Sequence, residues 1–152
     1  MNYLRRALYL VARGYWHITK PLTLGVRVIM VRDHTVLLVK HSYQAAWYVP
    51  GGLVEHRETL EQAARREARE EVGAQLGPLT LVGVYSGFAE GKSDHVTVFA
   101  CTEFTHTAVT SPEIERSAFF PLDALPEDVS PGTRRRIEAY LQGDNQPRFG
   151  AW

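Results

Sequence analysis

Between Thr59 and Val72 the chain contains neither Gly nor Pro and is built largely from Ala, Glu, Arg, Gln and Leu, the strongest helix formers. Gly73 follows as a natural C-terminal cap. On a wheel at about 100° per residue, Leu60, Ala64, Ala68 and Val72 form one stripe that must face a core, and Arg65, Arg66 and Arg69 fall largely opposite, toward solvent. Glu67 and Glu71 join neither group. They lie at the edge of the apolar stripe, one turn apart, with Glu70 beside them, so three carboxylates are expected on a flank that is only partly hydrated.

Ordinary helix ion pairs, Glu61 with Arg65 and Arg66 with Glu70, account for part of this charge at a few tenths of a kcal/mol each. They leave Glu67, Glu70 and Glu71 unexplained as a set, because like charges at these spacings repel and partial burial makes each one costlier. A divalent cation removes the conflict. Oxygen ligands on one face, with no cysteine cluster and no paired histidines, favour Mg²⁺ or Mn²⁺ over zinc and leave coordination positions for water and phosphate oxygens.

Around this helix the chain reads as an α/β mixture. Leu4, Leu8, Val11 and Tyr15 recur at helical spacing, with Arg5, Arg6 and Arg13 elsewhere on the wheel, which predicts a leading amphipathic helix. Its apolar run is too short to span a bilayer and no small-residue cleavage site follows. Docking on this protein or on a second copy is expected, with binding to a membrane surface as the alternative. Strands are expected at 22–31, 36–41, 47–49, 79–85, 95–104 and 118–120, a turn at Arg32-Asp33-His34-Thr35 and a closing helix at 132–141. With 152 residues and 45% hydrophobic content, one core is expected: residues 1–20 as an extension and 21–152 as the domain.

The 17 basic and 17 acidic residues balance, so no global field would hold DNA or an anionic membrane, and any phosphate binding must be local. Cys101 is the only cysteine, which excludes an intramolecular disulfide and a cysteine-based zinc cluster and fits a reducing compartment, the cytoplasm.

The stretch from Gly52 through Glu58, Arg66, Glu67, Glu70, Glu71 and Gly73 to Ala74 resembles the Nudix box, G-x5-E-x7-R-E-U-x-E-E-x-G-U, at every fixed letter. At typical residue frequencies a chance match at a given start is on the order of one in 10⁸. Ala68 and Ala74 occupy positions where bulky aliphatic residues are usual, which suggests altered packing under the helix. Arg57 stands where many relatives have Gly, so a different loop path is expected there.

The resemblance implies a Nudix-type α/β/α sandwich with a mixed central sheet. It also implies a Mg²⁺-dependent hydrolase that cuts a diphosphate linkage in a nucleoside-diphosphate-linked small molecule. Glu67 and Glu71 would be the principal metal ligands, Glu70 would assist, and the carbonyl of Gly51 or Gly52 could complete the sphere. The metal would neutralise charge developing at phosphorus and lower the pKa of an attacking water. Arg66 would orient the carboxylates; Glu58 would tie the loop to the helix or touch substrate, and Glu55 is a weaker candidate.

The general base is either Glu67 or a loop acid, Glu90, Asp94, Glu113 or Glu115. Lys40 and His41 close a strand just before the site and could contact a phosphate, while Tyr43, Trp47, Tyr48, Tyr85 and Phe88 could stack on a base or simply pack. His17, His34, His56, His95 and His106 show no metal-ligand spacing. Two other functions share this fold. A non-catalytic nucleotide sensor would tend to lose box glutamates, all of which are kept here, and a diphosphate isomerase would need a catalytic Cys and additional metal-binding histidines. A homodimer through the leading helix is also expected.

Overall fold

The β-branched run after Pro21 becomes the longest strand, and the architecture is organised about it. The structure, a computed structural model, describes residues 3–88, 91–107, 111–143 and 147–152. In chain order the elements begin with α1 (Tyr3–Thr19), β1 (Leu22–Arg32), β2 (Thr35–His41), β3 (Trp47–Tyr48), α2 (Leu60–Val72) and β4 (Ala74–Leu76). They continue with β5 (Thr80–Gly87), β6 (Ser93–Cys101), β7 (Phe104–His106), β8 (Ile114–Pro121), α3 (Pro131–Leu141) and β9 (Arg148–Ala151).

Strand β1 runs parallel to β6 over most of its length, from Leu22 opposite Ser93 to Met30 opposite Cys101. Antiparallel β5 follows on β6, and β9 lies parallel to β5, so this part of the sheet is mixed. Asp33 and His34, with φ of 47° and 57°, make the tight turn into β2. The two strands pair only at Val31 with Val36 and Arg32 with Thr35. Beyond those pairs β2 leaves β1 for antiparallel β3, while β8 runs antiparallel along its other edge from Thr35 to His41. The vacated edge of β1 is taken by residues 50–54: the Val28 and Val26 amides donate to the Pro50 and Gly52 carbonyls at 2.9 Å, and the Val54 amide to the Leu24 carbonyl at 2.9 Å. This splaying opens the cleft in which the site lies.

Alternation along the strands sends side chains to two cores. Val26, Val28, Met30, Leu37 and Val39 pack with Ala64, Ala68 and Val72 of α2. Ile29, Val36, Leu38 and Val98 pack with Ile137 of α3 on the opposite side. The sheet therefore lies between α2 and α3 in an α/β/α arrangement. Ala68 and Ala74 are both buried in the α2 core, where the lack of bulk lets the helix sit close to the sheet.

Several elements differ from the sequence expectation. The single strand expected at 95–104 ends at Cys101; the Glu103 carbonyl accepts from the Gly77 amide at 2.7 Å, and Phe104–His106 turns away to pair with Ala74–Leu76. Neither β4 nor β9 was expected, because three or four residues are too few to display a period. Strand β8 extends well before Ala118, its alternation concealed by Glu115, Arg116 and Ser117 on an exposed edge.

Candidate active site

Thr59 caps α2 with a reciprocal box: its side chain accepts from the Gln62 amide at 3.2 Å, and the Gln62 side chain accepts from the Thr59 amide at 2.8 Å. Gly73 closes the other end at φ 63°, a conformation a Cβ disfavours. Between these caps the helix presents Glu67 and Glu71 to a cavity of about 880 Å³, a volume suited to a nucleotide-sized ligand.

The floor of the cavity is one face of the sheet. Thr23, Gly25 and Arg27 of β1 alternate onto it beside Asp94 and Val96 of β6, with Thr23 opposite Asp94 and Gly25 opposite Val96 in register. Gly51, Gly52, Glu67 and Glu71 form one wall, and His41, Tyr43 and Glu113 another. Across the top lies α1, contributing Leu4, Leu8 and Tyr15. These three side chains remain more than half exposed, as do Val11 and Ile18 along the same apolar stripe, so the helix stands off the floor.

Glu71 is 7% exposed, and its Oε2 accepts from the Gly51 amide at 2.8 Å. Burial pushes its carboxyl pKa up to about 7, against an opposing pull from Arg27. Glu67 is likewise raised by burial, with Arg66 opposing, and its Oε1 accepts from Arg66 Nη1 at 2.8 Å. Glu70 departs from the expected trio: it is 55% exposed, 3.4 Å from Arg66, and does not line the cavity. Among the described residues no three His, Cys, Asp or Glu side chains are gathered as a preformed metal cage. Two partly buried oxygen donors resisting ionisation on one cavity wall are nevertheless a hard donor set that a divalent cation fits.

Arg66 corrects the wheel. It was expected in solvent, yet its side chain is only 17% exposed, because residues 53–58 fold back over that flank of the helix. Its guanidinium donates to both oxygens of Glu58, at 2.9 and 3.0 Å, and to the Leu53 carbonyl at 2.9 Å as well as to Glu67. Glu58 also accepts from the Glu55 amide at 3.0 Å, and these donors hold its carboxyl below the usual range. Glu58 therefore fastens loop to helix and is absent from the cavity wall. Arg57 sits at φ 64°, in the left-handed region that Gly favours, so the backbone takes that conformation despite the side chain.

Gly51 and Gly52 are required by the space they occupy. A Cβ on Gly52 would collide with the Glu67 carboxylate, and one on Gly51, at φ 139°, with the backbone of Val26 and Arg27.

Lys40 and His41, adjacent on β2, point to opposite faces. Lys40 pairs with Asp128 at 2.8 Å and does not line the cavity. His41 does, with Nε2 3.8 Å from Glu71 Oε1. Burial and then Arg27 lower its pKa to about 4, so it is neutral near pH 7. Tyr43 stands 5.2 Å from the His41 ring, its hydroxyl pushed up to about 12 by burial. Trp47 and Tyr85 are buried in the α3-side core, Tyr48 packs against the α2 side, and Phe88 is exposed. Of the loop acids, Asp94 and Glu113 line the cavity, Glu115 is exposed elsewhere, and Glu90 lies outside the described residues. Asp94 is held by Thr23 Oγ1 at 2.8 Å and by Lys92 at 3.2 Å.

Arg27 escaped the sequence reading because it sits within the apolar run of β1. The available signal was a lone cation in a strand buried on both sides.

A capped helix presenting two glutamates to a cleft beside a Gly-Gly loop, on a mixed sheet between helices, defines a family. A model of the NUDIX domain matches residues 21–140, and the chain belongs to that family. It is 32% identical over 104 residues to an ADP-ribose pyrophosphatase of Methanocaldococcus jannaschii, covering 65% of this chain and 62% of that one. It is 31% identical over 106 residues to the human 8-oxo-dGDP phosphatase NUDT18, covering 65% of this chain and 32% of that one. The chain thus spans less than two thirds of the length of these relatives. A MutT NUDIX hydrolase from Burkholderia pseudomallei superposes with a TM-score of 0.71 at 30% identity, covering 78% of this chain and 97% of that one.

Proposed function

We propose that the protein is a Mg²⁺-dependent hydrolase, with Mn²⁺ as a substitute, that cuts the diphosphate linkage of a nucleoside-diphosphate-linked small molecule. The observation that carries this reading is the pair Glu67 and Glu71 on one wall of a nucleotide-sized cavity, both pushed toward the neutral form by burial. ADP-ribose and 8-oxo-dGDP, in the names of two relatives, both contain a nucleoside diphosphate.

Glu67 and Glu71 would hold the metal with Gly51 or Gly52 as carbonyl donor, and Glu70 would assist by turning inward. The bound cation would supply charge neutralisation at phosphorus and a more acidic water. Arg66 steers Glu67 while Glu58 keeps Arg66 in place. Gly51 and Gly52 let the backbone approach the phosphates. A proton from the attacking water would pass to Glu67 or to a carboxylate across the cavity, Asp94 or Glu113. The nucleoside would lie between the floor at Gly25 and Val96 and the roof at Leu4, Leu8 and Tyr15.

No helix of the described residues is long and apolar enough to cross a membrane. A reducing, cytoplasmic location would suit the single thiol, Cys101. A homodimer would cover what α1 leaves exposed at Val11 and Ile18. A sensor is the second reading, opposed by the retention of Glu67, Glu70 and Glu71. An isomerase is disfavoured because Cys101 is buried in the α2-side core, away from the cavity. The test is a panel of nucleoside triphosphates, ADP-ribose, nucleotide sugars, dinucleoside polyphosphates and capped RNA ends with Mg²⁺, each product identified by mass. Release of a nucleotide from at least one supports hydrolysis, and tight binding without product supports the sensor.

A further inference from the structure

Among the described residues two cationic side chains line the cavity, Arg27 and Lys92. Lys92 is paired with Asp94 at 3.2 Å. The side chain of Arg27 has no hydrogen bond or ion pair among the described residues, and its Nη1 is buried without an acceptor. That nitrogen has surrendered water without replacing it, while the residue as a whole is half-buried, a costly arrangement unless a ligand supplies the acceptor.

Its place on the strand explains why it cannot relax. Arg27 lies between Val26 and Val28, both fully buried, and its backbone is clamped by the 50–54 segment on one side and by Val98 of β6 on the other. Next on the same face comes Ile29, fully buried in the α3-side core, so the cavity ends at Arg27 and the guanidinium has only the cavity to enter. Its field reaches Glu67, Glu71, His41 and Tyr43, although none of them bonds to it.

The charge balance names the missing partner. A divalent cation on Glu67 and Glu71 would offset the carboxylates that now oppose the charge of Arg27, and an anion lying between cation and guanidinium would satisfy both. A planar fork of donors matches the non-bridging oxygens of phosphate. Building on the hydrolase reading, we propose that Arg27 is the substrate-binding cation of the site, donating to the diphosphate and holding it at the carboxylate end.

Calorimetric titration of wild type, Arg27→Gln and Arg27→Lys would test this, first with Mn²⁺ alone and then with methylenediphosphonate in saturating Mn²⁺. Arg27→Gln should weaken the diphosphonate at least thirtyfold while Mn²⁺ affinity alone is unchanged or higher, because a repelling charge has gone. Arg27→Lys should weaken it at least fivefold, since a point charge replaces the fork, and it serves if the Gln variant fails to fold. Diphosphonate affinity within twofold of wild type in either folded variant overturns the proposal. So does a parallel loss of Mn²⁺ affinity, which would make Arg27 a support for the carboxylates, and so does a wild type that binds Mn²⁺ but no diphosphonate. Turnover of wild type on the substrate panel judges the hydrolase reading separately: Arg27-dependent binding with no turnover would sink hydrolysis and leave Arg27 standing.

Discussion

The amide of Gly51 donates to Glu71 at 2.8 Å, joining the loop before α2 to the last turn of that helix. Both ends of the box thus converge on one point, and Arg66 makes a second tie by holding Glu58 and Glu67 together. A carboxylate fixed in this way is positioned before any ligand arrives, so the variants below should separate metal binding, chemistry and fold.

Glu71→Gln and Glu67→Gln should each lower Mg²⁺ or Mn²⁺ affinity at least tenfold by calorimetric titration. Each removes one charged oxygen donor from a pair facing the same cavity. Unchanged affinity in both would remove the basis for a metal at this helix.

Glu67→Gln should reduce turnover roughly a thousandfold, because losing one ligand costs several kcal/mol of transition-state stabilisation. Affinity for the nucleoside part should fall far less. His41→Ala should mainly raise KM, whereas Lys40→Ala should leave kinetics near wild type, since Lys40 is engaged with Asp128 outside the cavity. Steady-state kinetics on the substrate that the panel identifies would separate these outcomes.

Gly52→Ala and Gly51→Ala should fail differently. At Gly52 the new methyl meets the movable end of Glu67, so activity should drop while the melting temperature stays close to wild type. At Gly51 it meets backbone and a positive φ, so the fold itself should be destabilised by more than about 2 kcal/mol. Thermal melts paired with activity assays distinguish the two.

Arg57→Gly should stabilise the protein by about 0.5–1 kcal/mol, because Gly takes φ 64° without the strain that Arg bears there. Gly73→Ala, at φ 63°, should cost about 1 kcal/mol for the converse reason. Urea denaturation midpoints at constant m-value would check both signs.

Leu8→Asp should raise KM for the nucleotide substrate by placing charge in the roof of the cavity. Light scattering at micromolar concentration should give twice the 17.2 kDa chain mass, reduced to one copy when residues 1–20 are removed. A wild-type mass of one chain would refute the dimer, and dimerisation that survives the deletion would place the interface elsewhere.

The helix and the placement of its carboxylates were legible in the sequence because both are local. Helix propensity, a cap at each end and one-turn spacing act within a few residues, and they were enough to place Glu67 and Glu71 at the edge of the apolar stripe. Long runs of alternating or branched residues likewise exposed β1 and β2. What tertiary structure alone decided depends on segments distant in the chain. The return of residues 53–58 over α2 buried Arg66, which the wheel had placed in solvent, and left Glu70 outside. Separation of β2 from β1 after two pairs opened the cleft and set Lys40 and His41 to different fates. Nη1 of Arg27 became buried without an acceptor because the 50–54 segment and β6 flank β1 at that point, and no pattern within a single strand encodes its neighbours.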